Sequence, residues 1–510
     1  MENRPVRAAA HGPRTGRFTC RSGFRADGSG MRHQLHRAVR VLMLLLAATF
    51  AVAQPAAAQS VLRDAETEAF LNEAARPLIL AAGLNPGSVE MVLLNDESIN
   101  AFVSQGQAVY MHSGLITAAD NAGEVQGVIA HELGHLAGGH ILRFEDGIKM
   151  ATGISLLSLV LGAVAMAAGA GEAGAGILQA GQHAAMSKFL AFNRTQESSA
   201  DQAGSTYLRK AGISGKGAIS FFKKLQNQEF RLAIPQDDSY ARTHPLSGDR
   251  VVALREGLEA DPAWNKPADP ALEAKFQRIK AKLQGFVDKH ERTLARFPDT
   301  DRSVGARYAR AYAWHKAAYP QKAMAEVNSL LADNPRDPYF LELKGQILLE
   351  SGKPAEALPA LRQAVALSNS EPLISALLGH ALVASENGAN LPEARQVLRT
   401  AVARDNDNPF AWYQLGVIYS KEGDQARAAL ATAERYSLQG NAPYALRSAT
   451  MALAGVKPGT PDCLRAQDIA MTSHTLMTEN KRMRKAFQEA GLMARGERGL
   501  AKPSMECRGA

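Results

Sequence analysis

His131-Glu132-Leu133-Gly134-His135 sets two imidazoles four residues apart with a carboxylate between them. The apolar run Val125–Ala130 ahead of it reads as helix, and on a helix positions i and i+4 share a face. Both histidines can then reach one metal ion. Glu132 projects beside that ion, where a carboxylate can take a proton from water. The pattern predicts metal-assisted hydrolysis of an amide bond.

Two histidines leave the ion short of protein ligands. A further Gly and His three and six residues beyond His135 would suit one ligand scheme; Gly138 fits, but position 141 is Ile and His140 comes one residue early. The other scheme draws a glutamate from a later helix. Glu197-Ser198-Ser199-Ala200-Asp201 supplies it, with Glu197 and Asp201 again four apart. Glu197 can ligate zinc while Asp201 accepts the free N–H of a ligand histidine and so orients the ring. His140 reads as a packed or hydrogen-bonded histidine rather than a ligand, and His112 and His183 as surface or loop residues.

The elements that must position these groups follow from periodicity. An amphipathic helix is predicted over 61–83, closed by Pro86-Gly87. Val89–Leu94 reads as a strand, and Asn100–Val103 with Ala108–Met111 as a hairpin around Gly106. The motif helix should occupy about 122–141 and a second helix about 187–209. The Ala108–Met111 strand is offered as an edge for an extended substrate backbone, with an ordinary buried strand as the alternative.

Beyond the Pro-rich stretch Asp261–Pro270 the character changes. After about residue 300 the chain is helical and periodic. Gly345, Gly379 and Gly416 recur at spacings of 34 and 37, each seven residues after Pro338, Pro372 or Pro409. A 34-residue helix-turn-helix period is the tetratricopeptide signature. Such repeats form a concave surface that binds peptides or proteins.

The net charge of +8 invites a nucleic-acid reading. Residues 1–40, however, carry nine arginines against Glu2 and Asp27, so the basicity belongs to the leader and no nucleic-acid partner is expected. Met31, Arg32, Arg37 and Arg40, the apolar run Val41–Ala53 and Ala56-Ala57-Ala58 make a cleavable export signal, cut after Ala58. Residues 1–30 read as an upstream extension. Cys463 and Cys507 then remain, either bridged across the tail or as two free thiols. Met150–Gly171 carries no charge over 22 residues. A single membrane span there would put the histidines and Glu197 on opposite sides. The run is therefore expected to be a lid or membrane-contacting loop near the site, a buried helix, or, least favoured, a two-span hairpin.

Together, Asn100-Ala101-Phe102, His131–His135, Glu197–Asp201, and Thr243-His244-Pro245 followed by Arg250 resemble the gluzincin family that contains the prenyl-protein endopeptidases, the HtpX-type heat-shock proteases and the periplasmic β-barrel assembly-enhancing proteases. The export signal and repeats place the resemblance nearest the last group. It implies an α+β gluzincin-type peptidase domain, mostly helical with a small sheet, over 59–262. A helical connection over 263–300, an all-α tetratricopeptide superhelix over 301–440 and a tail over 441–510 would follow. It implies one zinc on His131, His135 and Glu197, with Glu132 as general base. His244 would either stabilise the oxyanion or act as a resting fourth ligand, the second being preferred, with Arg250 positioning its loop. It implies a periplasmic enzyme, peripheral to the outer membrane, acting on unfolded or stalled outer-membrane β-barrel proteins and meeting the barrel assembly machinery through its repeats. The rival reading is a repeat scaffold with a latent or vestigial peptidase half; the intact Glu132 argues against it.

Overall fold

The computed structural model describes residues 60–104, 106–168, 170–231, 244 and 248–479. The leader, Lys481–Lys485 and Cys507 lie outside them. Cys463 is disulfide-bonded.

The first helix, α1 (Ala65–Ala81), starts where Asp64 caps it by accepting from the Thr67 amide. The short strand β1 (Ser60–Val61) precedes it, and β2 (Glu90–Asn95), β3 (Ala101–Ser104) and β4 (Ala108–His112) follow, in sheet order β1-β2-β4-β3. β2 and β4 run parallel, and the β3–β4 hairpin is antiparallel with Ala101 opposite Met111. Alternation then sorts the side chains. Met91, Leu93, Val109 and Met111 enter the main core, while Val92, Leu94 and Ala108 face the other way. One expectation is overturned. The strand offered as an edge, β4, is interior, because β2 takes one of its sides and β3 the other. The sheet edge next to it is β3.

After α2 (Ser113–Ala118), the motif helix α3 (Ala122–Ala137) is capped by Asn121 and buries Val125, Val128, Ile129 and Leu133. It ends at Gly138 and Gly139, the latter with φ +62°. A new helix, α4 (His140–Ala167), begins at once, and α5 (Gly171–Ala211) returns antiparallel to it. The charge-free run is thus one arm of a helical hairpin, neither a loop nor a buried helix. The returning helix is far longer than the predicted 187–209, since nothing in the Ala-rich stretch before 187 stops it.

α6 (Lys216–Arg231) packs on α3, where Lys224 Nζ and Ser220 Oγ hold the fully buried Glu124. α7 (Gly248–Glu259) follows. α8 (Pro270–Val287) places Leu272, Phe276, Ile279 and Leu283 in the peptidase core. Its other side meets α10 (Val304–Lys316), reached through α9 (His290–Arg296). A Cβ at Gly285 would lie 2.4 Å from the Ala309 carbonyl oxygen.

Helix pairs continue as α11 (Pro320–Asp333), α12 (Pro338–Glu350), α13 (Pro354–Leu367), α14 (Pro372–Ala384), α15 (Leu391–Arg404), α16 (Pro409–Lys421) and α17 (Gln425–Leu438). The periodic prolines sit at the first turn of α12, α14 and α16, where a missing N–H costs nothing. α18 (Ala442–Leu453) and α19 (Pro461–Glu479) extend the stack through a shared apolar cluster. The first part of the tail therefore docks on the repeats.

Candidate metal centre

α3 presents His131, Glu132 and His135, α5 presents Glu197 and Asp201 across from them, and His244 and Arg250 arrive from the segment leading into α7 and its first turn. Close helix approach makes this work. At Gly134 a Cβ would stand 2.6 Å from the Ala200 carbonyl oxygen, so only glycine lets α3 and α5 come together here.

His131, His135, Glu197 and His244 converge, with one ligand atom from each lying within 4.8 Å of all the others, and all four are buried. The two Nε2 atoms of His131 and His135 are 3.1 Å apart. Glu197 Oε2 is 3.4 Å from His131 Nε2, and Oε1 is 3.3 Å from His135 Nε2. His244 Nδ1 lies 3.1 Å from Glu197 Oε1 and 3.3 Å from His131 Nε2.

The outer partners assign the tautomers. His131 Nδ1–H donates to Asp201 Oδ1 at 2.9 Å, which leaves a lone pair on Nε2. Arg250 pins Asp201 in turn through Nε at 2.8 Å and Nη2 at 3.0 Å, and its Nη2 also reaches Glu197 at 3.1 Å. His135 Nδ1 lies 2.9 Å from His140 Nδ1. Donation from His135 to His140 turns the second Nε2 lone pair inward as well.

Lone pairs on two imidazoles and a carboxylate, held this close, repel unless a cation sits among them. The donor set of nitrogens and one carboxylate suits zinc. Glu132 strengthens the fit: it is fully buried, and neither carboxylate oxygen has a hydrogen-bond partner. Its nearest basic group is His244 Nε2, at 3.6 Å. An orphaned carboxylate beside such a cluster is placed to receive a proton.

Without a cation among them, the same carboxylates favour a proton on His131 Nε2 in the cation's place. Burial opposes charge on His131, but Asp201 and Glu197 prevail and push its pKa up to about 10. Burial would raise Glu197 and Asp201; His244 and the ligand histidines hold the first well below the carboxylate range, and His131 with Arg250 lowers the second. His135 is lowered by burial. Burial, then His135, pushes His140 down to about 4, which keeps it a neutral acceptor.

Every residue singled out from sequence for this site is present in it. His140's contact with His135 was not foreseen; its signal is the Gly138-Gly139 pair, since a Cβ at Gly138 would lie 2.4 Å from His140 Nε2. His112 is a correction. It is buried, not a surface residue, and sits 2.8 Å from Ser98 Oγ through Nδ1. His183 is exposed on α5.

A small sheet, a motif helix and a glutamate-bearing second helix define a metallopeptidase of the gluzincin type. The chain belongs to peptidase family M48, whose profile matches residues 61–258. It is 26% identical over 420 residues to a β-barrel assembly-enhancing protease of Yersinia pestis, covering 81% of this chain and 84% of that one. To the protein of that name in Escherichia coli K12 it is 24% identical over 398 residues, covering 77% and 80%. To the metalloprotease LoiP of Escherichia coli K12 it is 31% identical over 187 residues, 36% of this chain and 68% of that one. A solved tetratricopeptide-repeat protein with a peptide-binding site aligns with 34% of this chain and 90% of its own at 21% identity and a TM-score of 0.29.

Proposed function

We propose that this chain is an exported, periplasmic zinc endopeptidase that removes misassembled outer-membrane β-barrel proteins and assists their assembly, with the repeats engaging clients or the assembly machinery. The observation that carries the catalytic half is the orphaned Glu132 carboxylate beside the four converging ligand groups. The client half rests on the names of the full-length relatives, and the location on the export-type leader.

His131, His135 and Glu197 would hold zinc, which when bound supplies a Lewis acid and lowers the pKa of a water to about 7. Glu132 takes the proton of the attacking water and returns it to the leaving amine as the carbon–nitrogen bond breaks. Asp201 fixes the His131 tautomer, and Arg250 fixes Asp201. His244 closes the fourth side of the cluster, so it serves as a latch that must withdraw before a peptide carbonyl can enter. That position favours the resting-ligand role over the oxyanion role.

The test is zinc content and cleavage of an unfolded outer-membrane barrel protein by the wild type and Glu132→Gln. We expect zinc in both and a loss of cleavage on the order of 10²–10⁴-fold in the variant. Equal cleavage by the two would overturn the role of Glu132, and absence of zinc from the wild type would overturn the metal assignment.

A further inference from the structure

The α4–α5 hairpin is packed inside out. Between its arms lie small residues: Ser158 meets Gly181, and Gly162 meets Gly174 and Leu178. A Cβ at Gly174 would stand 2.6 Å from the Gly162 carbonyl oxygen, and one at Gly181 2.0 Å from Ser158 Cβ. Phe144 meets Phe189 and Phe192 lies beside Gly147 at the base, and Met166 lies beside Gly174 at the tip, but between them the large apolar side chains of α4 point away from α5. Leu157, Val160 and Val164 are 61%, 59% and 62% exposed, and Leu142, Leu156, Leu159 and Leu161 are exposed with them. A hairpin that folds in water places these groups inward. Small residues at the contact and large ones outside is how helices pack where the surroundings are themselves apolar.

The charges frame this surface. Arg143, Glu145, Asp146 and Lys149 ring its base, and no charge occurs from Met150 to the end of α4 at Ala167, a length of about 27 Å on a helix. Exposed apolar area on this scale marks a contact surface. The face of α4 from Met150 on carries no charged group to set the register of a protein partner. The returning arm decides how lipid would meet it. Gln179, Gln182 and His183 are exposed about a quarter of the way along α5, level with Ser158 in the middle of the apolar run of α4. In an upright hairpin they would face hydrocarbon near the bilayer midplane, which is costly. Laid flat, α4 sinks and that polar stripe turns toward the headgroups.

We propose that the α4–α5 hairpin is a monotopic membrane anchor, lying on a lipid bilayer with the outward face of α4 buried to the acyl boundary. α5 runs unbroken from this hairpin to Glu197, about 21 Å beyond His183, and on to Asp201, so the anchor holds the metal centre close to the bilayer surface. This contact does not depend on the proposed substrates.

The test is flotation of the full chain with vesicles of phosphatidylcholine alone and of phosphatidylcholine with phosphatidylglycerol. The wild type should float with both and resist release by high salt, because the face carries no charge. Leu157→Gln, Val160→Gln and Val164→Gln together should cut vesicle partition by at least about tenfold. Helical circular dichroism should be retained, since all three side chains already face outward. Gln182→Leu should not weaken binding. A fluorophore at Val160→Cys should be quenched by lipid-borne quenchers, and one at Gln182→Cys much less. A wild type that stays unbound, a triple variant that floats like the wild type, or binding that needs anionic lipid and is lost in salt would each overturn the proposal. So would concentration-dependent self-association of the wild type, abolished in the triple variant, without vesicle binding.

Discussion

In metal-free protein the carboxylates around His131 favour its charged form, so a metal would displace the Nε2 proton. Asp201 and Glu197 raise its pKa from 6.5 to about 10. In metal-free protein the charged ring therefore contributes stability that is fully present below about pH 6.5 and lost as pH rises through about 10. The thermal midpoint of metal-free protein should fall across that window. The zinc-loaded protein, whose His131 is already deprotonated, should stay flat there. Zinc binding near pH 7.5 should release about one proton from this residue, measurable by calorimetry in buffers of different ionisation heats. His244 gives a second prediction at this scale. If it latches the site, His244→Arg should raise basal cleavage severalfold while zinc is retained. Loss of cleavage without loss of zinc would support the oxyanion role instead.

Among the elements, α3 and α5 matter most, because the ligand set exists only at their crossing. Gly134→Ala places a methyl group against the Ala200 backbone, which cannot swing aside as a side chain could. The expected cost is roughly 1–3 kcal/mol, read as a lower denaturation midpoint. Zinc affinity should fall as well, since Glu197 would be pushed from the histidines. The repeat glycines obey the same geometry unevenly. A Cβ at Gly345 or Gly379 would stand 2.4 Å from Leu361 or Leu398, whereas at Gly416 it would make an ordinary 3.5 Å contact with Ala431. Alanine should therefore be nearly neutral at 416 and lower the denaturation midpoint at 345 or 379, where a buried leucine side chain has to shift.

At the scale of the whole molecule, α8 joins the peptidase to the repeats through buried charge. Lys282, 2% exposed, lies 2.5 Å from Asp64 and 3.2 Å from Glu66. Arg278 bridges Glu66 to Asp337 at the start of α12, and Tyr308 on α10 donates to Glu66 at 2.9 Å. Burial opposes the charge on Lys282, but Asp64 beside it holds its pKa well above the ordinary value. Lys282→Met would leave Asp64 without its nearest cation, at a cost of about 3–5 kcal/mol. Guanidinium unfolding should show it, with the single transition splitting as the peptidase and repeat segments lose their common support. A single transition at the wild-type midpoint would mean that the apolar contacts of α8 suffice.

Sequence alone determined what helical and strand periods encode. The two histidines and Glu132 share a turn of one helix, Glu197 and Asp201 share a face of another, and the 34-residue spacing repeats a helix pair; each pattern is local and survives in the chain without its neighbours. Tertiary structure decided what depends on chain closure. His244 reaches His131 across 113 residues, and His140 folds back on His135 only because Gly139 breaks the helix. The sheet edge fell to β3 because strand order is set by long-range pairing, which alternation does not report. The charge-free run could be read as apolar but not as outward-facing. Which way its large side chains point was settled by the small residues of α5 packing against those of α4.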